Sequence, residues 1–84
     1  MTNSSDVARK AIFEVVNNQI RDGNPPETRE TFDRLVSEGL EEDEARRLIG
    51  CVVASEIFDI LKHRQPYDQE RDVKKLRKLP EVPG

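Results

Sequence analysis

Apolar residues recur every three to four positions along most of the chain, which is the spacing of one face of an α-helix. The longest such stretch covers residues 40–64, contains no proline, and reads LEEDEARRLIGCVVASEIFDILKHR. Its inner face is predicted to comprise Ala45, Leu48, Ile49, Val52, Val53, Ile57, Ile60 and Leu61. Cys51, Ala54 and Phe58 project from the other side, so this helix is apolar around most of its circumference. We therefore predict a central helix that neighbouring helices cover on several sides, or that a second subunit shares.

A first helix is predicted over residues 6–21, with Gly23 ending it. Its inward face is expected to contain Ala8, Ile12, Val15, Val16 and Ile20, with Phe13 at the margin. Gln19 lies one turn beyond Val15 and Val16, inside the apolar stripe. The spacing therefore predicts an amide side chain that points inward.

Two further helices are predicted on either side of the central one. Residues 25–38 follow Asn24, a candidate N-cap, and precede Gly39, and their buried stripe is predicted to be Thr28, Phe32, Leu35 and Val36. Residues 69–79 follow Asp68, another candidate cap, and offer Val73, Leu76 and Leu79 as apolar anchors. The pattern predicts an all-α fold, a small bundle of about four helices around a long central third helix.

Length and composition indicate a small single domain that is short of apolar residues. The 84 residues are predicted to form one helical domain over 1–84, with flexible ends at 1–5 and 80–84. A domain of this size buries only about 60% of its unfolded surface. Apolar residues make up 35% of the chain and charged residues 37%. Such a chain often gains stability from a partner.

The charge distribution and the lack of a long apolar run argue against several classes of function. Residues 1–61 carry 7 basic and 13 acidic side chains, and residues 62–84 carry 7 basic and 4 acidic ones, which gives −6 and +3 and a total of −3. An acidic chain argues against nucleic-acid binding. No apolar run resembles a signal peptide or a membrane span, so we expect a cytoplasmic protein that does not bind a membrane.

One group of polar residues on the central helix could carry chemistry. Asp59 and His63 are four residues apart and Glu56 and His63 seven apart, so all three share one side of the helix. Carboxylate and histidine ligands on bundle helices can hold metal ions. However, this chain offers too few further ligands, and no phosphate loop, cysteine pair or serine nucleophile motif is present. We expect no cofactor and no catalytic residue, and interpret Glu56 as a buried acid whose best partner is Gln19.

The basic run in the last helix is a second candidate for a binding site. It consists of Arg71, Lys74, Lys75, Arg77 and Lys78. The run lacks the interleaved aromatic residues on which single-stranded nucleic acids stack. Weak nucleic-acid binding through residues 69–79 therefore remains an alternative function, beside metal or small-ligand binding by Glu56, Asp59 and His63.

Several segments resemble a known family. They read NPPETRETFDRLVSEG at residues 24–39, ARRLIG at 45–50 and PYDQERDV at 66–73. Together they resemble a family of small, uncharacterised bacterial helical domains, over residues 12–80. The resemblance implies a helical fold. Histidines often found in the family on the first helix and near the start of the third are missing from VARKAIFEVV and DEARRLIG, so no functional residue carries over.

The leading functional hypothesis is an interaction module without catalytic activity that pairs with itself or with another protein. Helices one, two and four supply too little apolar surface to cover the whole central helix. Phe58, Cys51 and Leu61 are predicted to lie at an interface, most simply that of a homodimer. Cys51, the one cysteine, is interpreted within the single chain as a small core residue and not as a reactive thiol.

Overall fold

A computed structural model describes residues 4–83, and side chains from Asp6 onward. Four helices follow one another in this part of the chain: α1 (Ser4–Asp22), α2 (Pro26–Ser37), α3 (Glu42–His63) and α4 (Gln69–Lys78). The all-α class, the number of helices and the long third helix are confirmed. The predicted flexibility of residues 1–5 and 80–84 stays a prediction, since residues 1–3 and 84 lie outside the described residues and helix α1 already begins at Ser4.

The helices are arranged around a core in which α3 is the central element. Helices α2 and α3 pack against each other, α1 packs against both, and α4 also packs against both. Within residues 4–83, α1 and α4 do not pack against each other. The buried core consists of Val16, Phe32, Leu35, Ala45, Leu48, Ile49, Val52, Leu76 and Leu79. Helix α3 alone supplies four of these residues, more than any other helix.

The ends of the helices follow from local sequence. Gly39 adopts φ +105°, its N–H donates to the carbonyl of Val36, and the N–H of Leu40 donates to the carbonyl of Leu35, which together form a Schellman motif. The Asp68 side chain accepts hydrogen bonds from the N–H groups of Glu70 and Arg71, so the predicted cap of α4 is confirmed. The predicted Asn24 cap is wrong, because Pro25 occupies the N-cap position of α2.

Some residues predicted to face inward are exposed instead. Ala8 and Val15 of α1 and Val36 of α2 are exposed, whereas Ile12 and Ile20 pack against the core as partly buried residues. The apolar stripes are therefore narrower than the sequence predicts. Each helix buries only the strip that faces its neighbours, and the flanking apolar residues stay in water.

No helix in the described part of the chain is long and apolar enough to cross a membrane.

Candidate functional site

Two features of α3 stand out from the rest of the molecule. One is a cluster of four charged side chains between α3 and α4, and the other is an exposed apolar surface on the side of α3 away from α4. We call the first the charge cluster, formed by Glu56, Asp59, Arg71 and Lys75. The second is called the outer face of α3, formed by Cys51, Ala54, Ile57, Phe58 and Leu61.

Lys75 lies at the centre of the charge cluster. Its Nζ is 2.9 Å from Oε1 of Glu56, 2.9 Å from Oδ2 of Asp59 and 2.9 Å from Oγ of Ser55. An ammonium group has three protons to donate, so these three acceptors satisfy it completely. Glu56 and Asp59 are three residues apart on α3, which places both carboxylates on the side that faces α4.

Arg71 completes the charge cluster one turn before Lys75. Its Nε donates to Oε1 of Glu56 over 3.1 Å, and its Nη2 donates to Oε2 over 2.9 Å. Such a two-point contact is stronger and more directional than a single hydrogen bond. The third side of the guanidinium donates from Nη1 to Oε1 of Gln65, over 2.9 Å. Arg71 thus joins α4 to α3 and to the segment between the two helices.

The protonation states of the charge cluster follow from burial and pairing. Glu56 is only 4% exposed, and burial by itself would raise the pKa of this carboxyl. The hydrogen bonds and charges of Arg71 and Lys75 outweigh burial and hold the pKa of Glu56 below its usual value. The hydrogen bond from Lys75 likewise lowers the pKa of Asp59. The cluster therefore holds two carboxylates and two cations at neutral pH, with no net charge.

The prediction that Gln19 is the partner of Glu56 is wrong. Oε1 of Gln19 instead accepts a hydrogen bond from Oγ1 of Thr28, over 3.1 Å, and Gln19 is only partly buried. This bond joins α1 to α2. Because Thr28 is buried, Gln19 supplies its hydroxyl with a partner that water does not provide.

The structure also changes the view of Glu56, Asp59 and His63 as metal ligands. His63 is the last residue of α3 and is exposed, while Arg71 and Lys75 occupy the carboxylates of Glu56 and Asp59. Within residues 4–83 no group of three or more His, Cys, Asp or Glu side chains is placed to hold a metal ion. The geometry of this cluster is that of an ion-pair network between two helices.

The basic run of α4 is divided between two roles. Arg71 and Lys75 are partly buried in the charge cluster, whereas Lys74, Arg77 and Lys78 are exposed. Three separate cations on one short helix remain for an anionic partner. The charge available for nucleic-acid binding is therefore smaller than the sequence indicates.

The segment between α3 and α4 is held by a tyrosine. Oη of Tyr67 donates to Oδ2 of Asp72 over 2.8 Å. Tyr67 is 53% exposed, and the partial burial of its ring, together with the neighbouring carboxylate, raises the pKa of Tyr67 to about 12. Burial also raises the pKa of Asp72, although the hydrogen bond from Tyr67 acts in the opposite direction. Tyr67 therefore stays protonated and acts as a donor.

The outer face of α3 carries large apolar side chains that no other part of the described chain covers. Phe58 is 55% exposed, Leu61 74% and Ile57 43%. Cys51 is exposed too, so its interpretation as a small core residue is wrong for the single chain. At 100° per residue these side chains point away from the side that carries Ala45, Ile49 and Val52. The outer face is a continuous apolar strip about three turns long.

A groove between α1 and α3 continues this strip toward the start of α3. It has a volume of about 580 Å³ and is lined by Ala8, Arg9, Ile12, Phe13, Arg47, Gly50, Cys51 and Ala54. Gly50 lies against Ile12, since a Cβ atom placed on Gly50 would be 3.5 Å from Cγ2 of Ile12. The groove is open because the residues beside it on α3 are small.

Comparisons with known proteins add no relative to this description. No protein-family model matches the chain, and no curated protein or solved structure matches it either. The resemblance to small bacterial helical domains stays a prediction.

Sequence reasoning identified Glu56 but missed its partners Arg71 and Lys75. A signal was present: two acids three residues apart on one helix, and two cations four apart on the next, separated by a short connection. Acidic and basic pairs with these spacings form matching rows on two helices that fold back on each other.

Proposed function

We propose that the protein is a helical interaction module that associates with a second copy of itself through the outer face of α3. The observation that carries this proposal is the exposure of Ile57, Phe58 and Leu61 in one strip on the most apolar helix. Monomeric proteins rarely leave contiguous apolar surface of this kind in water, and such surfaces usually mark an interaction site.

The size of the core supports the same proposal. Nine buried apolar side chains make up the core that the structure describes, and four of them lie on α3. In a domain this small the core contributes little net stability. Pairing through the outer face would bury the opposite side of α3 and place the helix at the centre of a larger apolar layer. A closed two-fold dimer is the commonest assembly that achieves this burial.

Phe58 is the proposed anchor of the contact. Its ring is half exposed, and the ammonium of Lys62 lies 5.0 Å from the ring centre. Aromatic residues are enriched among the few side chains that dominate binding energy. The cation keeps one side of the ring in a polar environment, while the remaining surface is free for apolar contact.

Sedimentation equilibrium tests the proposal directly. The wild type is expected to be dimeric at ~100 μM, a concentration well above the micromolar dissociation constant of a modest interface. Phe58→Asp is expected to be monomeric at that concentration while keeping its helical circular dichroism spectrum. The matched control is Val82→Asp, because Val82 is similarly exposed but lies beside Lys75 and Lys78 of α4. This control should remain a dimer.

A wild type that sediments as a monomer at ~100 μM would overturn the proposal. So would a Val82→Asp variant that dissociates as readily as Phe58→Asp, because the contact would then not be specific to the outer face.

A further inference from the structure

From the layout of the outer face we infer that the α3 helices of the two copies pair in an antiparallel orientation, with a two-fold axis beside Ala54. In this arrangement Ile57 and Phe58 of one copy enter the groove beside Gly50 of the other. This inference rests on the proposed self-association. It adds the orientation and register of the contact, which exposure alone does not determine.

The first argument is shape. The outer face has a depression on one side of Ala54 and projections on the other. The depression is the groove of about 580 Å³, with Gly50 and Cys51 in its wall. The projections are Ile57, Phe58 and Leu61. Gly50 and Cys51 before Ala54, and Ile57 and Phe58 after it, lie at matching distances from Ala54, roughly 4–6 Å along the helix axis at 1.5 Å per residue. Leu61 lies farther out on the same side as Phe58.

A two-fold axis beside Ala54 brings these features together. In an antiparallel pair centred on this residue, each residue that follows Ala54 in one copy lies level with the residue equally far before Ala54 in the other copy. Ile57 and Phe58 therefore reach the level of Cys51 and Gly50. The same surface patch acts on both copies, as a two-fold interface requires. In a parallel pair, Phe58 would instead lie level with Phe58 of the second copy, and both grooves would stay empty.

The second argument is charge. Helix α3 begins with Glu42, Asp43 and Glu44 and ends with Lys62 and His63. Glu44 and Lys62 are separated by five turns of 3.6 residues, so they lie on the same side of α3. An antiparallel pair centred on Ala54 brings Lys62 of one copy to within about two residues of the level of Glu44 in the other. There Lys62 adds a second cation to the ion pair that Glu44 forms with Arg47 of its own chain. The antiparallel pair also opposes the two helix dipoles. A parallel pair would place each of these charges level with its own kind and would align the two helix dipoles.

Disulfide cross-linking tests the orientation. Two variants are prepared, Cys51→Ser/Gly50→Cys and Cys51→Ser/Ile57→Cys, both of which keep Phe58. A cysteine at position 50 fits, because its Cβ would meet Ile12 at an ordinary contact distance of 3.5 Å. The antiparallel register predicts a covalent dimer with a bond between positions 50 and 57 after mild oxidation of the mixture. Each variant alone should stay uncrosslinked.

The possible outcomes separate the orientation from self-association itself. A mixture that forms no bond between positions 50 and 57, although the wild type sediments as a dimer, overturns the antiparallel register and leaves the proposed function standing. Cross-links of position 57 only to itself also overturn the register, since the axis beside Ala54 separates the two copies of position 57 by six residues, roughly 9 Å along the helix. A monomeric wild type overturns both proposals together.

A charge reversal provides a second test that needs no cysteine. Lys62→Glu is expected to weaken the dimer severalfold, because the substituted side chain brings a second carboxylate next to Glu44 of the other copy. The double variant Lys62→Glu/Glu44→Lys is expected to recover most of the loss. Raising the salt concentration should reduce the effect of both changes. If Lys62→Glu leaves the dissociation constant unchanged, or the double variant is weaker than the single one, the register is wrong.

Discussion

Arg71 and Glu56 face each other side-on across the contact between α3 and α4, with Nη2 of the arginine 2.9 Å from Oε2 of the glutamate. The glutamate is 4% exposed, and it is buried next to apolar residues of α3. Lys75 donates to the same carboxylate and extends the contact to Asp59. An unpaired carboxylate at this depth would be costly, so the position of α4 and the charge of Glu56 depend on each other.

Glu56→Gln is expected to destabilise the fold by about 2–4 kcal/mol, because Arg71 and Lys75 lose the charge that compensates theirs and one oxygen acceptor becomes a donor. Urea unfolding followed by circular dichroism measures the change. Glu14→Gln, at an exposed glutamate of α1, is the control and should change stability by less than about 0.5 kcal/mol. Equal stability of Glu56→Gln and the wild type would show that the charge cluster makes no net contribution.

Stability should fall when the solution is acidified. The pKa values of Glu56 and Asp59 are lowered in the folded protein, so the stabilisation is present above their unfolded pKa values of about 4 and is lost as the pH falls through the folded values. Asp72 acts in the opposite direction because burial raises its pKa, so its protonation favours the folded state. Thermal unfolding measured between about pH 7 and about pH 2.5 gives the net effect of these three carboxyl groups on stability.

The acid dependence should be smaller in Glu56→Gln than in the wild type, because the variant has no carboxyl at position 56 to titrate. Parallel stability curves for the two proteins over this pH range would contradict the assignment of the acid sensitivity to the charge cluster.

Helix α4 is expected to open before α3. It is anchored to the core by Leu76 and the adjacent Leu79, and to α2 by a hydrogen bond from Nη2 of Arg34 to the carbonyl of Leu76. Its remaining link to α3 is the charge cluster. Lys75→Met keeps most of the side chain but removes the hydrogen bonds of the ammonium, so amide exchange in residues 69–78 should become about tenfold faster or more, equivalent to about 1.4 kcal/mol. Exchange in residues 48–56 should change less.

Lys74→Met is the matched control for this exchange experiment, since Lys74 is the neighbouring lysine and is exposed. Its exchange pattern should follow the wild type. A uniform acceleration of both segments in Lys75→Met would mean that α3 and α4 unfold as one unit.

Two glycines should respond to alanine in opposite ways. Gly39 has φ +105°, which alanine rarely adopts, so Gly39→Ala should destabilise the fold by about 1–3 kcal/mol. Gly50 lies inside α3, and an added Cβ would meet only Ile12, at 3.5 Å. Gly50→Ala should therefore stabilise the monomer by about 0.5–1 kcal/mol. Thermal unfolding at low protein concentration measures both, and destabilisation by Gly50→Ala would contradict the close but unstrained packing on Ile12.

The sequence by itself determined the helices and most of their ends. Apolar spacing located all four helices, and Gly39 and Asp68 ended one helix and began another where predicted. These features depend on interactions between residues fewer than about five positions apart, in which the side chain and the backbone it contacts are neighbours in the chain. A local pattern is enough to predict them, whatever the rest of the fold does.

Only the tertiary structure decided which polar groups meet. Glu56 pairs with Arg71 and Lys75 because α4 folds back onto α3 at that level, and Gln19 pairs with Thr28 because α1 and α2 lie side by side. The same packing decided that Ile57, predicted to face inward, is 43% exposed while Leu76 is 2% exposed. Helical periodicity shows which residues share a side of a helix. It does not show which neighbour covers that side, because this depends on how helices far apart in the chain pack together.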